Sequence, residues 1–398
     1  TLSTLNAVFT GRSRTIAFAV WGSAIGGMAA IGPLVGGWLA TDLSWRWAFW
    51  LNIPVGLLVM IGIVRVVPET KDTSVVAGTD VPGVILSALG MGGIVFALIE
   101  GSWFGWWRSG DGALSPVPIV GVLALVSFVM LELRRSRGGR PVLVDLDLFR
   151  LRSFRSGITA ALIVAFGEFG LLFTLPLLLQ GTLGFNSLET GWVILVLAVG
   201  TFLISGTLPQ LSKRISQRTI VRIGLALEAL AVGGLALTLS LTVPTWLIAV
   251  WLFTYGVGVG MATAQLTSLL LADVPVNESG QASGLQSALR QLGSALGVAL
   301  LGGVLVADLA AQTRERLNTI GMPGAAAEQL TAAVKDSAGI AIAGLQAQPG
   351  AEVAARAASE AMIHASQLTT GLAALALLVG LLATLALPKS AGGAASVH

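Results

Sequence analysis

The 398-residue chain is 55% hydrophobic and 11% charged, with a mean hydropathy of +0.85. A soluble domain carries about 25% charged residues, so this chain lacks the polar surface to cover a water-soluble body and reads as an all-α integral membrane protein. It has no cysteine, which excludes disulfides and thiolate metal sites, and a net charge of +3 without the basic, aromatic-studded groove that a nucleic-acid partner needs. Its two histidines, His364 and His398, read as exposed loop or tail residues, so neither a metal site nor a cofactor is expected.

A bilayer span needs about 20 apolar residues, and ten stretches qualify: 16–40, 47–66, 82–99, 117–133, 158–179, 191–208, 220–239, 246–271, 285–306 and 368–387. The first span carries Gly22, Gly26 and Ala30, then Gly32 and Gly36, at spacing four, with Pro33 and Gly37 among them. Glycine and proline weaken a helix in water, but in lipid they let neighbouring helices approach the bare backbone, so this helix is built for close packing or bending. A short polar turn follows, and then Trp45-Arg46-Trp47-Ala48-Phe49-Trp50-Leu51-Asn52-Ile53-Pro54 opens the second span. Trp103, Phe104, Trp106 and Trp107 crowd the loop after the third, as headgroup-belt anchors or as part of a substrate vestibule.

Residues 134–156 form the densest basic run, with an amphipathic Leu146-Asp147-Leu148-Phe149-Arg150 that lies along the interface or belongs to a solvated loop. Carboxylates inside spans are the informative exceptions, because a charge in hydrocarbon needs a cavity or a partner. Glu168, beside Gly167 and Gly170, and Glu228 are deep in their spans. Each is either a site for a proton or cationic substrate, or a hydrogen-bond partner between helices. Glu100 and Glu132 stand near span ends and read as interfacial. The glycine-rich eighth span adds Tyr255, Thr263 and Gln265, with Tyr255 and Gln265 ten residues apart, close to three turns, so they either face one cavity or bond between helices. Residues 307–369 are alanine-rich, broken by Gly321-Met322-Pro323-Gly324 and Pro349-Gly350, and read as two or three short amphipathic helices forming a cover or spacer.

Assigning loops to alternating sides puts 17 basic residues on one and 6 on the other. The first side, which includes Arg290 and both chain ends, is expected to be cytoplasmic. There is no GxxxxGK[ST], no HExxH and no nucleophile elbow, so an enzyme is not expected and an ion gradient or another chain must supply energy.

Gly32-Pro33-x-x-Gly36-Gly37 resembles the antiporter motif of the major facilitator superfamily, and Trp45-Arg46-Trp47-x-Phe49-x-x-Asn52-x-Pro54 is similar to the start of helix 6 in its fourteen-helix drug/proton antiporter branch. Asp80-x-Pro82-Gly83, Asp147-Leu148-Phe149-Arg150, Leu183-Gly184-Phe185 leading to Gly191, and Arg290-Gln291-Leu292-Gly293 with Gly297 match that branch in order. One departure falls in the first motif, where Met28 replaces the glycine four residues before Gly32.

The resemblance implies the superfamily fold, N-terminally incomplete, with the ten spans as helices 5 to 14 and four helices missing before Thr1. It divides the chain into 1–70, the rest of the N-terminal bundle; 71–156, two inserted helices and a linker; 157–306, five helices of the C-terminal bundle; 307–367, an extracytoplasmic loop; and 368–398, the last helix and tail. It implies a monomer in a bacterial plasma or inner membrane that exports small lipophilic or cationic compounds against protons by alternating access. Glu168 and Glu228 are the proton-coupling candidates by depth in their spans. A non-transporting membrane sensor or structural protein on the same fold is the alternative.

Overall fold

The computed structural model describes residues 4–5, 8–67, 80–100, 116–138, 142–275 and 278–386. The aromatic cluster at Trp103, Phe104, Trp106 and Trp107 lies outside them, as do the side chains of Gly22, Gly26, Ala30, Pro33 and Glu100. The elements in chain order are α1 (Gly11–Trp38), with a π-helical turn at Leu39–Leu43, α2 (Trp45–Trp50), α3 (Asn52–Val66), α4 (Val81–Glu100), α5 (Pro116–Arg137), a 3-10 turn at Leu146–Arg150, α6 (Arg152–Gly181), α7 (Ser187–Leu211), α8 (Gln217–Thr238), α9 (Thr245–Leu270), α10 (Ser279–Thr319), α11 (Gly324–Asp336), α12 (Ala341–Gln346) and α13 (Glu352–Ala383). Among the described residues nine helices are long and apolar enough to cross a membrane: the joined Trp45–Val66 stretch, α4 through α10, and α13. The 28-residue α1 coincides with the remaining expected span.

Small residues decide which helices meet. In α9, a β-carbon on Gly256 would strike the Leu197 carbonyl of α7, one on Gly260 would lie 2.9 Å from the Thr201 carbonyl of α7, and one on Gly258 would meet Gly224 and Glu228 of α8. The alternating glycines thus make α9 the centre of a three-helix layer, backbone against backbone on both sides. In α10, Gly293 and Gly297 sit against the carbonyls of Leu162 and Phe166 in α6, and Leu301 fills the space over Gly170. That register runs in one direction along both chains, so α6 and α10 are parallel. Gly167 of α6 accepts the Ala373 and Leu377 region of α13, which also packs on α8 and α10. One core cluster spans α6, α7, α8, α9, α10 and α13.

Two basic residues of α8 close one end of this bundle. There Arg218 and Arg222 of α8 donate to the Leu385 and Thr384 carbonyls just past α13, at 2.7 and 3.2 Å, supplying cationic caps to a helix C-terminus. At the same end Phe18, Leu148, Phe154, Ile158, Leu270, Leu271, Val274 and Ala282 form a second cluster. Leu148 is fully buried in it and Phe149 packs edge-on against Phe154. Leu148 of the Leu146–Arg150 turn thus plugs the space under α6, α9 and α10, while Asp147 and Arg150 on its other face stay exposed, the two faces of an amphipathic turn.

At the other end α10 does not stop where its apolar run stops. It continues to Thr319 as a single 41-residue helix, about 60 Å at 1.5 Å per residue and about twice the hydrocarbon thickness, so part of it must project beyond the bilayer. α13 likewise starts early, at Glu352. The 307–369 segment thus contributes two separate short helices, α11 and α12, between extensions of its flanking helices. Arg316 pairs with Glu360 at 2.7 Å across those extensions, and Gln346 of α12 donates to the Thr182 carbonyl at 3.0 Å, seating the cover on the end of α6. His364, expected in a loop or tail, lies in α13 and is bonded to Asp308 of α10 at 2.8 Å. The alanine-rich face lets helix periodicity persist after hydropathy falls, which is why a hydropathy reading cut these helices short.

Candidate functional site

The deepest charges in the six-helix bundle come from three helices. Glu168 of α6 is 5% exposed and its Oε2 lies 3.6 Å from Nη2 of Arg290 on α10. This is ion-pair range but longer than a hydrogen bond, so the two charges are held without being locked. The Gly293 and Gly297 ridge that seats α10 on α6 lies three and seven residues past Arg290, on the same helix face, and turns the arginine towards Glu168. Glu228 of α8 is fully buried, its side chain wedged over Gly258, and neither carboxyl oxygen has a hydrogen-bond partner among the described residues. Tyr255 of α9 is also buried and its hydroxyl is unpartnered. Arg290, Glu168, Glu228 and Tyr255 act electrostatically on one another, so the structure brings four groups from α6, α8, α9 and α10 together.

Gln265 is buried with an unpartnered Oε1, and Thr263 is half-buried. Thr267, one half-turn on, accepts from Nε2 of Gln286 at 2.8 Å, which ties α9 to α10 below the charged cluster. Arg290 and Gln286 escaped sequence reasoning as site residues. By loop charge alone Arg290 belongs with the basic side, but its place inside the 285–306 span and its spacing from Gly293 and Gly297 are a readable signal.

A buried carboxylate with no donor is costly at about 1–3 kcal/mol or more, so a group like Glu228 is comfortable only when protonated or when a ligand supplies the missing partner. Glu168 has a resident counter-charge and can exchange it for a proton. The arrangement can therefore hold or release a proton beside a positive charge, in a setting free of bulk water.

The other candidate residues stand apart. α1 packs on α7 and α9, with Gly37 against the Ser187 carbonyl at the start of α7, whereas Gly32 and Gly36 face open space. Met28 is 66% exposed and lines an apolar groove of about 500 Å³ between α1 and α7 with Ile16, Val20 and Phe202. Trp45, Arg46 and Trp47 are exposed, with the Arg46 guanidinium 4.9 Å from the Trp45 ring centre. Asn52 donates to the Ala48 carbonyl at 3.0 Å, bridging the break between α2 and α3 two residues before Pro54. Within the chain this motif shapes a local helix junction and does not meet the charged cluster.

Residues 1–298 match the family model described as Major Facilitator Superfamily. The "Puromycin resistance protein pur8" of Streptomyces alboniger is 35% identical over 78% of this chain and 61% of its own length. The "Probable actinorhodin transporter" of Streptomyces coelicolor is 32% identical over 78% of the chain and 54% of its own length. The "Multidrug resistance protein Stp" of Mycobacterium tuberculosis is 31% identical over 77% and 55%. The chain spans little more than half the length of such relatives.

Proposed function

Because the chain belongs to the Major Facilitator Superfamily, a family of multi-pass membrane transporters and not of enzymes, we propose that it serves proton-coupled export of small lipophilic or cationic compounds by alternating access. The relatives support the export reading, since their names record resistance to puromycin, resistance to several drugs, and transport of actinorhodin. The observation that carries the proton reading is the Glu168–Arg290 pair at the meeting of α6 and α10. With Glu168 ionised, its charge is matched by Arg290 and the two helices are tied across the bundle. Protonation of Glu168 removes that match and frees Arg290, so one proton alters the charge balance and packing inside the six-helix bundle. Glu228 and Tyr255 supply unpartnered oxygens beside the pair, where a cationic or hydrogen-bonding substrate would find acceptors. The basic end of the bundle is the cytoplasmic one in this reading, and α1 is the antiporter-motif helix that rides on α7.

The test is proton movement in vesicles containing the complete transporter. Addition of an exported compound should drive counter-flow of protons that an uncoupler abolishes, and Glu168→Gln or Glu228→Gln should reduce it at least tenfold. Unchanged coupling in both variants would remove these residues from the proposed role, and no proton movement with any exported compound would favour a non-transporting protein on this fold.

A further inference from the structure

A second acidic site lies far along the chain from the Glu168 cluster, where α4 begins and α5 ends. Asp80 caps α4, its Oδ1 accepting from the Gly83 amide at 2.9 Å and also from Nη1 of Arg135. Its other oxygen, Oδ2, has no donor among the described residues. Glu132 of α5 accepts from the Val144 amide through Oε2 at 3.2 Å, and its Oε1 has no donor either. Both side chains are almost wholly inaccessible. The two unpartnered oxygens meet over Gly83, since a β-carbon there would fall against Asp80 Oδ2 and 2.7 Å from Glu132 Oε1. This explains the Asp80-x-Pro82-Gly83 pattern: the aspartate caps the helix, and the glycine leaves room for two carboxyl groups to touch.

Two buried oxygens that carry only lone pairs repel, and a single proton turns that repulsion into an O–H···O bond. Charge balance points the same way. Arg135 brings one positive charge, which two carboxyl groups holding one proton neutralise, whereas two ionised ones leave a buried negative charge uncompensated. A metal ion fits poorly, because Arg135 occupies the outer oxygen of Asp80 and the described residues contain no group of three or more metal-ligating side chains. We infer that Asp80 and Glu132 bind one proton between them, forming a protonation site that fastens α4 to α5 and is distinct from the Glu168 cluster.

Within the pair, Glu132 carries the proton and Asp80 accepts it. Burial opposes charge on Asp80, but hydrogen bonds from Glu132 and the Gly83 amide together with the Arg135 charge outweigh it and hold this carboxyl below its ordinary range. Among the described residues Arg135 and the two carboxyl groups are the only charges that act on the pair. The neighbouring 142–145 segment offers backbone amides, and α10 offers the uncharged Gln281.

The site also reaches α10. The Val144 amide that binds Glu132 is followed by the Asp145 amide, which donates to Gln281 Oε1 at 3.1 Å, while Gln281 Nε2 donates to the Val142 carbonyl at 3.3 Å. Gln281 stands in the first turn of the helix that carries Arg290. Loss of the proton thus loosens the seat of the segment that links the inserted helices to the six-helix bundle.

Infrared difference spectroscopy on the purified 398-residue protein tests this, in a Glu168→Gln/Glu228→Gln background that removes the other deep carboxyl groups. A band from a buried protonated carboxyl should be present, should bleach as pH rises, should vanish in Glu132→Gln and should shift in Asp80→Asn. The folded pair holds its proton more tightly than the unfolded carboxyl groups do, so stability is greatest at low pH and falls as the proton leaves; Glu132→Gln, whose amide still donates to Asp80, should flatten that fall. A band that survives unchanged in both variants, or folded background protein without the band at any pH, overturns the inference. If Glu132→Gln does not fold, the presence or absence of the shift in Asp80→Asn decides alone.

Discussion

Arg290 shows how much one side chain changes the meaning of another. A lone Glu168 in the middle of an apolar run is only an expensive group, but set against Arg290 it becomes one half of an exchangeable pair. Removing one member of a buried pair strands the other, which costs about 3–5 kcal/mol in comparable cases, whereas removing both costs much less. Arg290→Met should therefore lower unfolding stability markedly, and Arg290→Met with Glu168→Gln should recover most of the loss; strictly additive losses in denaturant titrations would mean that the two groups do not interact. Glu168 and Glu228 were legible as outliers because charge is rare in spans. The partner of Glu168 is not, because pairing depends on which helix faces which, and residues 168 and 290 are more than a hundred positions apart.

At the scale of the helices, glycine placement does the sorting. Existence of the spans follows from hydropathy alone, since a segment in hydrocarbon must satisfy its own backbone hydrogen bonds. Their lengths do not, as α10 and α13 show by running on beyond their apolar stretches. Nor does a motif say which of its glycines bears the contact. In Gly32-Pro33-x-x-Gly36-Gly37 only Gly37, of the glycines, meets another helix, at the Ser187 carbonyl. Overpacking a tight interface costs about 1–3 kcal/mol, so Gly37→Leu should lower the thermal midpoint of the chain while Gly36→Leu leaves it nearly unchanged. Equal shifts would show that the α1–α7 contact is not the one described.

Across the whole molecule, burial is uneven. The six-helix bundle has a continuous core, but no residue of α3 is buried, and among the described residues α2 is the one element it packs on to any extent. Leu171 in α6 is 1% exposed and Leu58 in α3 is 70% exposed. Truncating a core leucine costs about 2–5 kcal/mol, and an unpacked surface position about 0.5 kcal/mol or less. Leu171→Ala should accordingly destabilise the purified chain strongly and Leu58→Ala hardly at all; comparable losses would mean that α3 packs against the bundle in solution.

The sequence alone determined that this is a helical membrane protein, where its spans fall, which end of them is basic and which family its motifs belong to. Those properties are local or additive: hydropathy sums along a window, charge counts along a loop, and a motif is a short string. Only the tertiary structure decided that Glu168 has Arg290, that Glu228 has no hydrogen-bond partner among the described residues, that Leu148 plugs one end of the bundle, and that Asp80 meets Glu132 over Gly83. Each of these rests on contacts between segments far apart in the chain. Such contacts are set by how small residues let helices approach, and no single segment encodes the partner it will meet.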